Sequence, residues 1–147
     1  MRKILLPIGL LLGACGGGST TPAATPLSSP TQAVAAFMRA AADSNISRMA
    51  ELWGTSRGPA SRTHPPEFEK RLMVMQAWLR GDSTRIISDT AVPGDDSRRR
   101  IGMALYRGTC VKQIPVTTVR IRDGGWIVQS VDLNFAGNPA RPCETTD

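Results

Sequence analysis

Apolar positions recur every three to four residues in the first half of the chain and every second residue later. Val34, Phe37, Met38 and Ala41 make one stripe at helical spacing. Ser29 is placed to cap that helix, and Pro30 carries a φ preset for its first turn. Asp43-Ser44-Asn45 ends it and caps a short second helix, with Ile46, Met49 and Trp53 on one side and Gly54 at its end. From Gly54 to Pro66 the chain is rich in Gly, Pro, Ser and Thr, which predicts a loop with at most one short strand. A third helix begins near Glu67, aligns Phe68, Leu72, Met75 and Leu79 on one face, and stops at Gly81.

After Gly81 the period changes to two. Strands are predicted over Thr84–Val92, Arg98–Thr109, Val111–Arg122 and Trp126–Phe135. Pro93-Gly94-Asp95-Asp96 and Asp123-Gly124-Gly125 supply the turn chemistry between them. In the second strand Ile101, Met103 and Leu105 share a parity that Arg107 and Thr109 break. In the last, Ile127, Val131, Leu133 and Phe135 share one parity, predicting that Ile127, Val131 and Leu133 meet the stripe of the third helix. Helices first and an antiparallel meander afterwards make the fold class α+β.

The segment ahead of these elements has another character. Arg2 and Lys3 precede an apolar run from Ile4 to Ala14, far short of the roughly 20 residues a spanning helix needs. A basic start, a short apolar centre and small residues at its end describe an export signal over residues 1–14. Leu12-Gly13-Ala14-Cys15 closely resembles the bacterial lipoprotein signal. The resemblance implies cleavage before Cys15, a diacylglyceryl group on its thiol and usually an acyl chain on its freed amine. Such chains, at about 0.8 kcal/mol per buried CH₂, would anchor the protein stably in a membrane. Residues 15–29 then form a tether: Gly16 to Ser29 contains no charge, no aromatic residue and a single Leu, too little apolar surface to fold. Gly16, in the position where an acidic residue favours inner-membrane retention in enterobacteria, leans the expected location towards the outer membrane.

Removal of the first 14 residues leaves 133, enough for one small domain, expected over 30–137 with a tail over 138–147. The formal charge falls from +6 to +4, because Arg2 and Lys3 leave with the signal. Fifteen of the 18 basic residues are Arg, scattered singly apart from Arg98-Arg99-Arg100. A lone triplet at a turn reads as a solvated strand end, so nucleic acid is not an expected partner. The expected partners are membrane lipid through acylated Cys15 and an envelope protein or a small apolar ligand. With Cys15 acylated, Cys110 and Cys143 remain, an even pair in an oxidising compartment, and one disulfide is expected. Closing that loop is worth on the order of 3–4 kcal/mol in the chain-entropy description.

The run AVAAFMRAAADSNISRMAELW, a further helix, and four strands ending in VRIRDGGWIVQSVDL resemble the nuclear-transport-factor-2-like superfamily over about residues 31–135. That superfamily includes ketosteroid isomerases, SnoaL-like cyclases and many small exported lipoproteins. The resemblance implies a curved sheet wrapped round a helix, enclosing a cone-shaped cavity. Enzymes of the fold place an acid, or a His–Asp pair, deep in that cone. The candidates in this chain are Asp89 and Asp132, each within a predicted strand, and His64 in the loop. Catalysis would need one of these carboxylates poised in a closed apolar pocket. No metal or cofactor is expected, since His64 is the one histidine, no cysteines lie two to four apart, and no Gly-rich phosphate loop or Gly-x-Ser-x-Gly elbow occurs. The expected function is therefore a tethered, non-enzymatic binding domain, with a small lyase or isomerase acting on a hydrophobic substrate as the alternative.

Overall fold

The computed structural model describes residues 27–144; Cys15, the expected export signal and most of the expected tether lie outside the described residues. Helix α1 (Pro30–Ala42) starts where the sequence places it, with the Ser29 hydroxyl accepting from the Gln32 N–H. Its stripe of Val34, Phe37, Met38 and Ala41 is wholly buried. Asn45 caps α2 (Ile46–Leu52) by accepting from the Arg48 N–H at 2.9 Å. Trp53 then leaves the helix in an extended conformation.

The next segment departs from the expected loop. Gly54–Thr55 (β1) and Gly58–Pro59 (β2) pair as a small antiparallel hairpin, and Ala60–Thr63 (α3) adds a single helical turn. Two-residue strands carry no periodicity, so the pattern of apolar residues could not reveal them. Gly54 makes the hairpin possible, because a Cβ there would strike the Gly58 carbonyl and the Pro59 backbone.

Helix α4 (Phe68–Trp78) buries Leu72, Met75 and the flanking Leu79. It ends earlier than predicted, at a Leu79 cap whose N–H bonds the Met75 carbonyl. Gly81 is not the left-handed stop the sequence implied. It lies where a Cβ would collide with the Leu105 side chain and the Tyr106 carbonyl, so close approach to the sheet is what requires glycine there.

Strands β3 (Ser83–Val92), β4 (Asp95–Arg107), β5 (Cys110–Arg120) and β6 (Trp126–Val131) form one antiparallel sheet in the order β3-β4-β5-β6. Helices before a four-stranded antiparallel meander make the chain α+β, as expected. Helix α1 lies across all four strands, whereas α4 packs chiefly on α2 and then on α1. The expectation that the third predicted helix, α4, faces the sheet is thus corrected: α1 is the longer stripe and takes the sheet, and α4 covers the helices. Phe37, Met49, Leu72, Ile101, Met103, Ile114, Val116 and Val128 join in a single buried cluster.

The last strand is also shorter than predicted. It stops at Val131, and Leu133–Phe135 forms a 3₁₀ turn capped by Asp132. Between Thr117 and Thr118 the β5–β6 register shifts, so Ser130 and Val128 are consecutive partners and Gln129 is the extra residue. A bulge of one residue reverses facing along the strand. Val128 therefore joins the core cluster and the partly buried Val131 packs against it, whereas Ile127, though buried, does not belong to it.

Arg107 does not break the alternation of β4 but continues it. It is 7% exposed and follows Ile101, Met103 and Leu105 towards the interior. Its guanidinium donates to the Trp78, Arg80 and Ala136 carbonyls, which lie at the end of α4, in the link to β3 and after the 3₁₀ turn. Burial lowers its proton affinity, yet a guanidinium stays charged at any ordinary pH.

Two stability changes follow. Leu72→Ala should cost roughly 2–5 kcal/mol, because Leu72 is fully buried between helices. Arg107→Met should cost about 3 kcal/mol, since charge-assisted bonds are lost and buried carbonyls are left unpaired. Urea or thermal unfolding measures both, and a midpoint unchanged within error in either variant contradicts the corresponding account.

Candidate functional site

The three residues singled out for chemistry lie apart in function. Asp89 is exposed on β3, and its Oδ1 accepts from Arg99 Nε at 2.7 Å. Asp132 is exposed, and its Oδ1 accepts from the Asn134 N–H at 3.2 Å as cap of the 3₁₀ turn. Neither carboxylate sits in a closed apolar pocket, so neither has the setting that general-acid or general-base work on a hydrophobic substrate requires. Asp89 borders a small cleft of about 430 Å³ shared with Asp96, Arg98, Arg99 and Arg120, and His64 borders a different one of about 550 Å³.

That cleft is built by the unpredicted segment. Trp53 pairs with Val128 in a parallel bridge, and the Ala60 N–H donates to the Trp53 carbonyl, so the hairpin is fastened to the edge of β6. The Arg122 N–H donates to the Ser56 carbonyl and fastens the hairpin tip. Beyond α3, His64 adopts φ 44° and ψ 55°, and Glu67 adopts φ 54° and ψ 24°. Both are left-handed without being glycine, and His64 does so immediately before Pro65, where a helical backbone is sterically disfavoured. Such conformations cost roughly 1–3 kcal/mol each and persist where surrounding structure over-determines them. Here they turn the chain sharply on either side of Pro65-Pro66, so that the start of α4 faces the hairpin. The His64 ring stands edge-on to Phe68 with centroids 6.0 Å apart.

The resulting cleft has a volume of about 550 Å³, with Trp53, Pro65 and Pro66 as walls and Arg57, His64 and Arg71 on its rim. Among the described residues Arg57 and Arg71 make no side-chain hydrogen bond and no ion pair. Arg62 pairs with Asp123 at 3.1 Å and Lys70 with Glu67 at 3.9 Å, whereas Glu69 and Arg122, like Arg57 and Arg71, have no ion pair among the described residues. Arg57 and Arg71 thus line the same cleft as the half-buried Trp53, and no carboxylate is among the residues that line it. The sequence pointed to His64 alone; Arg57 lies in the hairpin turn and Arg71 on α4, and neither carries a pattern.

The basic triplet behaves differently. Arg98 donates to Asp95 and to the Gln129 side chain, and Arg99 is held by Asp89, leaving Arg100 exposed. The Asp95 carboxyl is held below its ordinary range, first by the Ser97 hydroxyl and further by the Ser97 N–H and Arg98. This strand end is largely neutralised from within.

Cys110 and Cys143 stand at disulfide distance, with Cα atoms 5.4 Å apart. Cys143 borders a further, shallow cleft of about 740 Å³ that also includes Arg80, Asp82 and Arg107. No group of three metal-ligating side chains occurs among the described residues. No family model matches the chain, and no curated protein or solved structure matches it.

Intact-mass measurement after alkylation without reduction should find neither Cys110 nor Cys143 labelled in the purified protein. Labelling at both would refute the pairing.

Proposed function

We propose that the protein is a bacterial envelope lipoprotein, cleaved before Cys15 and held by acyl chains, whose domain binds a ligand and performs no catalysis. Support for the anchor comes from Leu12-Gly13-Ala14-Cys15 behind a short basic-apolar segment, and from the tether composition that follows. The observation that carries the binding role is the open cleft at Trp53, where Arg57 and Arg71 present charges that the rest of the domain leaves unmatched. The lyase or isomerase alternative loses its two acids, since Asp89 is paired with Arg99 and Asp132 serves as a cap.

The nuclear-transport-factor-2-like reading rests on element order and on α1 lying across an antiparallel sheet. In that reading the cone interior lies between α1 and the strands. There Phe37, Ile101, Met103 and Val116 belong to one buried apolar cluster. Binding is accordingly assigned to the surface cleft and not to an interior cavity.

Cys15→Ser should abolish incorporation of labelled palmitate and leave the precursor uncleaved. Native mass spectrometry of the unaltered protein, extracted from its own membrane, should show a retained ligand or partner. A Cys15→Ser protein that still takes up label refutes the anchor, and an extract containing only the bare chain refutes the binding role.

A further inference from the structure

We propose that the cleft at Trp53 is a binding site for an acidic sugar, a saccharide ring bearing a carboxylate or phosphate, with Arg57 and Arg71 holding the anionic group. This deepens the binding role proposed above and rests on it. A volume of about 550 Å³ falls within the range of small-ligand pockets, roughly 300–1,000 Å³.

Charge sets the ligand's sign. Both arginines are exposed at the cleft and neither has an acidic partner among the described residues, while the neighbouring Arg62 and Lys70 do. A planar guanidinium offers paired N–H donors that match the two oxygens of a carboxylate or phosphate. Two of them on one cleft favour a compact anion over a neutral ligand.

The walls set the rest. Trp53 is half-buried and fixed through its backbone to β6 on one side and Ala60 on the other. It is among the residues lining the cleft, and a flat apolar ring is the kind of surface on which the C–H face of a sugar ring rests. Pro65 and Pro66 add rigid carbon opposite polar groups from Thr55, Thr63 and His64. Flat apolar floor, hydroxyl-bonding rim and a cationic end together describe a sugar that carries an acid.

Isothermal titration of the full chain in non-ionic detergent tests this with four probes: glucuronic acid, glucose 6-phosphate, glucose and inorganic phosphate. At least one of the two acidic sugars should bind, and the stronger names the source of the anion. Glucose and phosphate should each bind at least tenfold more weakly than that sugar. Arg57→Gln and Arg71→Gln should each weaken it at least tenfold with an unchanged melting midpoint, while Arg85→Gln on the exposed face of β3 should not. The proposal is overturned by absence of binding at millimolar probe, by glucose or phosphate binding as tightly, or by equal effects of all three substitutions. A neutral ligand or a protein retained from the membrane, with no acidic-sugar binding, would sink this inference and leave the proposed binding role standing.

Discussion

A buried guanidinium has to be bonded on every side or it destabilises the interior that holds it. Arg107 satisfies that condition by gathering three carbonyls that belong to three different parts of the chain: Trp78, Arg80 and Ala136. The Trp78 carbonyl is one of the last in α4 and has no partner within the helix, so Arg107 supplies both a donor and a positive charge where the helix dipole is negative. The end of α4, the crossing into the sheet and the segment after β6 are thereby set against one another by one planar side chain. Lysine could not substitute, because a single ammonium does not span a fork of directions. Lys112 donating to the Glu144 carbonyl and the Cys110–Cys143 pair reinforce the same end of the molecule. Each of these contacts acts on a tail whose own apolar content would not hold it.

The same residue shows where sequence reading succeeds and fails. Stripes of four apolar residues identify α1 and α4, and strand alternation identifies the meander, because burial of a face is a repeated demand that leaves a periodic trace. Arg107 looks like an interruption in that trace, yet it keeps the inward parity and satisfies the core with hydrogen bonds in place of carbon. Polar partners distant in sequence leave no period. The Gln129 bulge is a second case: one inserted residue turns Val128 inward, and counting parity along β6 therefore assigns the wrong side to Ile127. Which helix takes the sheet was likewise hidden, since both α1 and α4 present stripes and only the assembled helices decide between them.

The candidate site was legible in one residue of its rim. His64 drew attention as the one histidine in the chain. Arg57 and Arg71 could not, because arginine is abundant throughout and their significance lies in lacking partners, which is a property of the fold. The stretch from Gly54 to Pro66 combines features that ordinary loops lack: two-residue strands fixed to the sheet edge, and left-handed backbone at His64 and Glu67 around consecutive prolines. Strain of that kind is maintained by packing elsewhere, and it places rigid walls where a free loop would collapse or wander.

The position of the cleft also fits a tethered protein. The Trp126 N–H donates to the Leu27 carbonyl, so the chain enters the domain alongside the first residue of β6. Val128, two residues further along that strand, carries the bridge to Trp53. Entry point and cleft are thus served by the same edge strand. In the lipoprotein reading, eleven residues lie between Cys15 and Leu27, a reach of about 40 Å at full extension. In that reading a cleft held on such a leash would stay within that reach of its membrane and would meet the proposed ligand there.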